Sequence, residues 1–417
     1  MSVTNIPALL KRNPNLRRLW LGQIVSQLGD WFNAIALYSL LYQLTGTATS
    51  VALVIVLQLL PASFVTPFVG MVVDRYDRRR IMIAADIVRG IVILGLLFVR
   101  TPGTVWIAYA VLIVAVSATG FFEPAKSATI PSVVDREDLV TANALSTATW
   151  SVMLAAGASI GGLAAAAFGR NVTFVLNSLS FFASAFFVIR VSIPPRPPST
   201  APGGFQPFIE GFRYLRAHRD IASIALIKAG WSTVGGALLI LTVLGQKVFP
   251  IHGSGDAGTG VLYAARGVGA LVGSWVVSHL AMRSSDRLMR LIAPAYFVAG
   301  AFYAVIGFAP TIWVAALLVI GAHICGSILW VAANVLLQLK APDAFRGRVF
   351  SAELAALTIV QATSSYITGR LLDVWHLDPR RLAIACGLVL WIPGTIWLVR
   401  TLRAPVTPRS STSSSTV

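Results

Sequence analysis

The chain has 417 residues, of which 56% are hydrophobic and only 12% are charged. Soluble domains carry about 25% charged residues, so this composition excludes an ordinary water-soluble protein. The net charge of +17 could suit nucleic acid if the basic residues were clustered, but most of them lie in short connections between apolar runs. We therefore expect a polytopic membrane protein that does not bind nucleic acid.

Twelve apolar runs follow one another along the chain, and each is long enough to cross a hydrocarbon core of about 30 Å. Backbone amides in lipid must form hydrogen bonds within their own segment, so these runs are predicted to be helices. Their approximate bounds are 19–43, 48–73, 81–100, 103–124, 139–168, 171–191, 220–249, 257–281, 287–308, 311–337, 347–373 and 380–402. The sequence thus predicts an all-α integral membrane protein with twelve transmembrane helices.

The longest connection divides these helices into two six-helix bundles. We predict an N-terminal bundle over 1–191, a cytoplasmic linker over 192–219, a C-terminal bundle over 220–403 and a disordered tail over 404–417. Within the linker, the segment PFIEGFRYLRAHRD alternates apolar and basic residues at helical spacing, which indicates either an amphipathic helix on the membrane surface or a solvated loop with a short helix. The basic connections after the second and eighth helices are loosely similar, as expected of two parallel repeats.

The basic residues also predict the orientation. An even number of helices places both termini on the same side, and a cytoplasmic location puts 24 of the 33 Lys and Arg residues at the inner face and six outside. Because cytoplasmic loops are enriched in Lys and Arg, we expect a multi-pass protein of the cytoplasmic (inner) membrane with both termini in the cytoplasm.

A specific motif follows the second predicted helix. The segment from Gly70 to Arg80 reads GMVVDRYDRRR and resembles the GxxxDRxGRR signature of the major facilitator superfamily. The resemblance implies the two-bundle fold of that superfamily and a conformational latch, in which this segment contacts the start of the eleventh helix. The latch residues implied are Gly70, Asp74, Arg75, Arg78 and Arg79.

The chemistry of this motif can also be read from its residues. Asp74 lies at the C-terminal end of a helix, where the macrodipole disfavours an anion, so the N-terminus of another helix or arginines should stabilise it. Gly70, one turn earlier, permits a close approach of two backbones. Some of the arginines are alternatively explained as anchors that fix the topology.

Shorter pieces resemble the drug/proton antiporter branch that includes macrolide-efflux proteins and the enterobactin exporter. These pieces are Gly29-Asp30, Asp86-Ile-Val-Arg89, PAKSATIP at 124–131 with Ala142-Asn143, GASIGG at 157–162, and Arg346-Gly-Arg348. In the fifth predicted helix Ala158 replaces the proline of the exporters' GPxxGG, and the fourth lacks their mid-membrane arginine. The resemblance implies efflux of a small molecule with a proton gradient as energy source and no cofactor.

Asp30 is the strongest candidate for a substrate or proton site. An ionisable group inside the membrane is costly and needs a partner, water or a function. Asp30 lies about 18 Å along its helix from Arg18, and the spacing of Gln23, Gln27 and Asp30 defines a polar stripe. In the superfamily, helices 1, 4, 7 and 10 line the central cavity, so Asp30 is expected to face it. A structural, hydrogen-bonded carboxylate is the alternative.

Four further residues of the second bundle are candidates for the substrate or proton pathway. Lys228 is expected to pair with Asp30, to bind an anionic group, or to extend to the inner interface. Trp231, one turn later, is a candidate for stacking on an aromatic or cationic substrate, or else packs in the bundle. Arg266 lies deeper than a topology anchor needs to, and His323 is either a titrating group or a neutral packed residue.

Other charged residues suggest a pair and a gate. Asp86 and Arg89 are one helical turn apart and are expected to form an intramembrane ion pair. Candidates for a gate at the cytoplasmic mouth are Glu123, Glu353, Arg346 and Arg348. The alternative for the two glutamates is ordinary interfacial pairing, with Lys126 or Arg348.

The remaining patterns exclude other activities. Cys325 and Cys386 have no metal-ligand spacing, and the chain has no phosphate-binding loop and no GxSxG motif, so we expect neither a metal site nor catalytic residues nor an enzyme. The leading hypothesis is a monomeric secondary exporter of an amphipathic drug, siderophore or secondary metabolite that works by alternating access. The alternatives are an importer, a lysophospholipid-type lipid transporter, and a non-transporting sensor or scaffold.

Overall fold

The computed structural model describes residues 6–135, 137–193, 206–280 and 285–403. These residues form fifteen α-helices, with one isolated bridge between Ile251 and Ser254 and no strand among them. The helices are α1 (Ile6–Arg12), α2 (Pro14–Thr45), α3 (Ala48–Arg75), α4 (Arg78–Ile93), α5 (Val105–Val133), α6 (Leu139–Phe168), α7 (Arg170–Ile189), α8 (Gln206–Ala217), α9 (Arg219–Ser232), α10 (Ala237–Val243), α11 (Gly255–Leu280), α12 (Ser285–Ile306), α13 (Ile312–Lys340), α14 (Asp343–Asp373) and α15 (Pro379–Arg403).

The helices pack as two halves. In the first half (α1–α7), α2 packs against α6 and α7, and α5 packs against α3 and α4; in the second half (α9–α15), α13 packs against α11 and α12, and α12 packs against α15. The halves meet along two helix pairs, α6 with α11 and α3 with α14. Helix α8 connects the halves and lies against the start of α14.

Small residues allow the helices of the first half to approach closely. A Cβ atom on Gly161 of α6 would lie 2.9 Å from the Phe32 Cα atom of α2, and one on Gly157 would lie 2.9 Å from the Trp31 Cβ atom. Transmembrane helices are held by this kind of close packing, so Gly157 and Gly161 form part of the contact between α6 and α2.

One face of the protein carries the described chain ends and the connection between the halves. Arg18 of α2 donates to the Arg190 carbonyl oxygen at 2.6 Å, and Arg400 of α15 donates to the Asp220 carboxylate at 3.1 Å. We call this the terminal face. The opposite face contains the α2–α3 turn at Gly46, where the helix ends in a left-handed conformation.

The helices suit a bilayer. Eight of them within the described residues, counting α9 and α10 as one, are long and apolar enough to cross a membrane. Large apolar side chains such as Phe98, Trp106, Phe168 and Leu402 are exposed on the outside, as expected of surfaces that face lipid. The predicted all-α membrane architecture is confirmed, while the number of twelve spans stays a prediction.

One predicted boundary was wrong, and one predicted span contains a break. The fourth span was expected to end at Pro124, but α5 continues to Val133 with Pro124 and Pro131 inside it, because neighbouring groups in a membrane helix can satisfy the backbone that proline leaves free. The seventh span, predicted over 220–249, is present over Arg219–Val248, but its helix is interrupted between Ser232 and Ala237. The predicted amphipathic helix of the linker is present as α8. The predicted tail lies outside the described residues, and the domain boundaries stay predictions.

Candidate functional site

A central cavity of about 560 Å³ lies between the halves, around the middle of the helices. The first half supplies most of its lining, from α2 to α7, and the second half supplies residues of α10, α11 and α14. The charged lining residues are Asp30, Arg89, Glu123 and Arg266. The cavity therefore combines apolar and aromatic walls with four charged groups, and small-molecule sites are commonly apolar with a few polar groups.

Asp30 projects into this cavity from the middle of α2. It is 16 residues from the start of the helix and 15 from its end, or about 24 and 22 Å at 1.5 Å per residue, yet its side chain is exposed to the cavity. Within the described part of the chain, the carboxylate forms no hydrogen bond and no ion pair. Arg89 and Glu123 line the same cavity.

The polar stripe around Asp30 serves two purposes. Gln23 is buried and donates to the Ser146 carbonyl oxygen of α6 at 3.0 Å. Gln27 is half-buried, and its Oε1 atom has no hydrogen-bond partner among the described residues. Neither glutamine lines the cavity, so the stripe joins α2 to α6 at one end and presents Asp30 to the cavity at the other.

Arg266 of α11 is the charged group that the second half contributes to the cavity. It is half-buried, and its guanidinium forms no hydrogen bond or ion pair with the residues that the structure describes. One turn before it, Tyr263 faces Tyr38 of α2 with the ring centroids 6.1 Å apart. The Tyr38 hydroxyl donates to Gln58 Oε1 at 2.6 Å. The two tyrosines thus bring α2 and α11 together at the cavity wall.

The predicted pair of Asp86 and Arg89 is present and buried in the first half. The Arg89 guanidinium also lies over the rings of Phe181 at 4.3 Å and Phe122 at 4.7 Å. A buried arginine needs both a counter-charge and packing for its planar group. Arg89 therefore lines the cavity with its charge already balanced by Asp86.

Glu123 also has a partner on its own helix. Its carboxylate lies 2.7 Å from the Lys126 Nζ atom, and its side chain is 48% exposed while that of Lys126 is 7% exposed. This is the ordinary pairing named as the alternative to a gate. A gating role for Glu123 stays a prediction.

The predicted pairing of Lys228 with Asp30 is absent. The Lys228 Nζ atom lies 3.0 Å from Glu353 Oε1 of α14 and donates to Asn334 Oδ1 of α13 at 2.7 Å, and it also lies over the Trp330 ring at 4.6 Å. Both ionised side chains are buried. The pairing of Glu353 with Arg348 was equally wrong, because Lys228 on the adjacent helix satisfies the carboxylate.

Trp231 and His323 pack inside the second half and do not line the cavity. Their rings meet edge to face at 5.6 Å, and the Tyr303 hydroxyl lies 2.9 Å from His323 Nε2. Trp231 also packs against Gly326 of α13. Stacking of Trp231 on a substrate in this cavity is therefore incompatible with its position, and His323 lies in a packed aromatic cluster.

The opposite face is closed by contacts between the halves that the sequence did not indicate. The Asp373 carboxylate, at the C-terminus of α14, accepts from the backbone amides of Ala48 at 2.7 Å and Thr49 at 2.6 Å, at the N-terminus of α3. Arg170 forms a two-pronged contact with Asp256, at 3.1 and 3.2 Å. An acidic group at a helix N-terminus is favoured by the macrodipole, which explains why Asp373 binds α3.

A third contact strengthens this closure. The Gln246 side chain donates to Ser39 Oγ of α2 at 2.6 Å and to Asp256 Oδ1 at 3.1 Å. One signal in the sequence could have drawn attention to this face: Arg170 is among the few basic residues predicted outside, and Asp373 is an acid at a predicted helix end.

At the terminal face, Gly70 and Asp74 belong to α3, but the surroundings of Gly70 and the side chain of Asp74 are outside what the structure describes. Arg75 is exposed, and Arg78 donates to the Ala128 carbonyl oxygen of α5 at 2.6 Å. The Arg79 backbone amide donates to Asp77, which caps α4. The predicted contact of this motif with α14 stays a prediction.

The predicted gate residues of α14 lie beside the connection between the halves. Arg348 pairs with Glu210 of α8 at 2.9 Å, and Phe345 stacks on Tyr214 of α8 with the centroids 4.6 Å apart. Arg346 is half-buried next to them. Arg348 thus attaches α8 to α14.

Comparison with known proteins identifies the family. The sequence profile of the family described as "Transmembrane secretion effector" matches residues 8–414. The chain belongs to this family. Its members and the relatives below are transporters of the major facilitator superfamily, so the chain is a secondary transporter of the efflux type and not an enzyme. This confirms the resemblance drawn from the motifs.

Related exporters and solved transporter structures support the same family and fold. The chain is 28% identical over 390 residues to the "Putative bacilysin exporter BacE" of Bacillus subtilis (strain 168), covering 90% of this chain and 93% of that one. It is 26% identical over 410 residues to the enterobactin exporter EntS of Shigella boydii, covering 94% and 93%. A mutant of the nucleoside transporter NupG superposes with a TM-score of 0.77 at 10% identity, covering 92% of this chain and 99% of that one, which shows the shared fold.

Proposed function

We propose that this transporter exports an amphipathic organic molecule across the cytoplasmic membrane and uses proton influx as its energy source. The observation that carries the proposal is the position of Asp30: a carboxylate without a partner among the described residues, in a cavity between two halves, about 24 and 22 Å from the two ends of its helix. A carboxylate in such a place is a functional site by default, because its charge is expensive there.

Asp30 can couple proton influx to substrate export by binding the proton and the substrate in turn. The same carboxylate binds either a proton or a cationic group of the substrate, so the arrival of one favours release of the other. The charged groups that face it are Arg89 and Asp86 of α4, Glu123 of α5, and Arg266 across the cavity. Because Arg89 and Glu123 already have partners, Asp30 is the acid of the cavity that is available for exchange.

Alternating access supplies the path. The contacts of Asp373 with α3 and of Arg170 with Asp256 hold the halves together at the opposite face. If both termini are cytoplasmic, as the distribution of Lys and Arg supports, these contacts form the outer gate, and the cavity is loaded from the cytoplasm. Export then requires these contacts to break while the motif around Asp74 and the start of α14 close the inner side.

The cavity and the relatives support the substrate class. A volume of about 560 Å³ falls within the range of about 300–1,000 Å³ typical of sites for drug-sized molecules. Trp31, Trp150 and Phe181 provide apolar walls, while Gln58 and Gln361 provide hydrogen-bonding groups. The names of BacE and EntS support a secondary metabolite or siderophore as the exported molecule.

Everted membrane vesicles test this function. We expect an acid-inside gradient to drive accumulation of a transported compound from a panel of labelled drugs, siderophores and peptides, and a protonophore to abolish it. Vesicles without the protein provide the baseline. Accumulation that persists with the protonophore would contradict proton coupling, and uptake into right-side-out vesicles alone would indicate an importer.

A further inference from the structure

The cavity contains two charged groups of opposite sign, one on each half, that have no partner within the described residues. These are the Asp30 carboxylate of α2 and the Arg266 guanidinium of α11. The other two charged lining residues are satisfied, Arg89 by Asp86 and Glu123 by Lys126. The cavity thus offers one anionic and one cationic position to a ligand.

Each of these groups recognises a specific chemical partner. A guanidinium binds a carboxylate through two parallel hydrogen bonds, and a carboxylate binds an ammonium group through a charge-assisted one. Ionised groups are costly at this depth. A ligand that supplies both counter-charges is therefore favoured over a ligand that supplies one.

The two groups are attached at different depths along their helices. Tyr38 and Tyr263 bring α2 and α11 into register, with their rings 6.1 Å apart. From this contact toward the terminal face, Asp30 lies eight residues along α2 and Arg266 three residues along α11, or about 12 Å and 4.5 Å. The two Cα atoms are therefore offset by about 7.5 Å along the helix axes, so the two charged groups arise at different depths of the cavity and a ligand that contacts both must be elongated.

We propose that the substrate is an elongated zwitterion, such as a short peptide with a free amine and a free carboxylate. Its amine binds Asp30 and its carboxylate binds Arg266, while the aromatic walls accept its side chains. This inference rests on the proposed export through the same cavity. Because the two charges belong to different halves, a zwitterion bridges the halves, and a singly charged molecule binds only one of them.

Matched probes test the proposal. The purified full chain in lipid nanodiscs is given labelled Phe-Ala dipeptide, its N-acetyl form, which lacks the amine charge, and its C-terminal amide, which lacks the carboxylate. Binding is measured by equilibrium dialysis. We expect the dipeptide to bind about 10-fold or more tightly than either blocked form, since each lost charged contact weakens binding by that order.

Two variants test which residue binds the amine of the dipeptide and which binds its carboxylate. In Arg266→Gln the advantage of the dipeptide over the amide disappears, while its advantage over the N-acetyl form remains. In Asp30→Asn the pattern reverses. Both variants are first checked for a single symmetric peak in size-exclusion chromatography, and the comparison of probes on the unchanged protein requires no variant.

Several results would overturn the proposal. Equal binding of the three forms to the unchanged protein does so, and so does the absence of binding by all of them. Tighter binding of the N-acetyl form to Asp30→Asn would show that Asp30 and Arg266 neutralise each other instead. If vesicles still accumulate a singly charged compound in a protonophore-sensitive way, the export function stands and only the substrate class fails.

Discussion

Lys228 and Glu353 form an ion pair inside the second half, with 3.0 Å between Nζ and Oε1 and only 7% and 3% of the two side chains exposed. The pair joins α9 to α14, and Asn334 adds a hydrogen bond from α13. Three helices are therefore held together by one buried charge cluster.

Breaking this pair is expected to destabilise the protein more than removing it entirely. Lys228→Met or Glu353→Gln leaves one buried charge without a counter-charge, at a cost of about 3–5 kcal/mol, whereas the double variant Lys228→Met/Glu353→Leu leaves none. Thermal unfolding in detergent should show a large drop in midpoint for each single variant and a smaller one for the double. Neutralising Asp220, which pairs with Arg400 at the surface, is the control and should change little. Additive losses in the double variant would contradict the interpretation.

Asp373 is expected to hold the opposite face closed. Asp373→Asn removes the charge and one of the two accepting oxygens at the N-terminus of α3, at a cost of about 1–2 kcal/mol, and shifts the population toward opening at that face by a factor of about 5–30. Spin labels at the exposed positions Arg100 and Phe308, measured by double electron–electron resonance, report the distance between the halves.

A matched control for this variant is Asp378→Asn. Asp378 lies on the same face and accepts from the Arg380 backbone amide at 2.7 Å, within its own half. We expect its removal to leave the distance distribution unchanged. If both variants give the same distribution as the unchanged protein, Asp373 does not contribute to closure.

Arg170 and Asp256 provide an independent test of the same closure. Arg170→Glu places two carboxylates at the contact, and the exchange Arg170→Glu/Asp256→Arg restores opposite charges. A cysteine at Ala115, which lines the cavity, should react faster with a membrane-impermeant maleimide in the single variant and return toward the original rate in the exchange. Arg100→Glu is the control. An exchange variant that remains as reactive as the single one would argue against this ion pair as a gate.

Gly211 is expected to be required for the docking of α8. A Cβ atom at this position would lie 2.1 Å from the Arg348 carbonyl oxygen, so Gly211→Ala forces α8 away from α14, at a cost of about 1–3 kcal/mol. Trypsin cleavage after Arg213 or Arg216 should become faster. Gly347→Ala, with nothing within 4 Å of its Cβ atom, should leave cleavage unchanged. Equal rates for the two variants would exclude the packing explanation.

Asp30→Asn is expected to uncouple transport from proton movement, because an amide side chain does not bind and release a proton as a carboxylate does. Vesicles with the variant should lose accumulation against a gradient but retain downhill movement of the same compound. Asp220→Asn, which changes an exposed aspartate at the terminal face, is the control. Unchanged uphill transport in Asp30→Asn would remove Asp30 from the coupling mechanism.

Features set by local sequence could be predicted. The helical spacing of PFIEGFRYLRAHRD located α8, and the one-turn spacing of Asp86 and Arg89 identified their ion pair, because both depend only on neighbours along one helix. The depth of Asp30 followed from counting residues along α2, since a membrane helix has a fixed rise per residue.

Features that depend on packing between distant helices could not be predicted. Glu353 lies 125 positions after Lys228, and nothing in the sequence favoured it over Asp30 as a partner. The cap of Asp373 on α3 joins the two halves of the chain. Trp231 was expected at the cavity because it lies one turn after Lys228, whereas it packs against His323 and Gly326 of α13 inside the second half.

That break also has a mechanical consequence. At the interruption, the Ser364 hydroxyl of α14 donates to the Thr233 carbonyl oxygen at 2.6 Å and accepts from the Gly236 amide at 3.3 Å, so the two loosened backbone groups remain bonded to α14. A helix interrupted in this way can bend at the break while both of its parts stay helical. The segment that contains Leu238 and Gln246 can therefore tilt when the contacts at the opposite face break. The segment that contains Lys228 stays bound to Glu353, and the bend occurs where Ser364 of α14 holds the break.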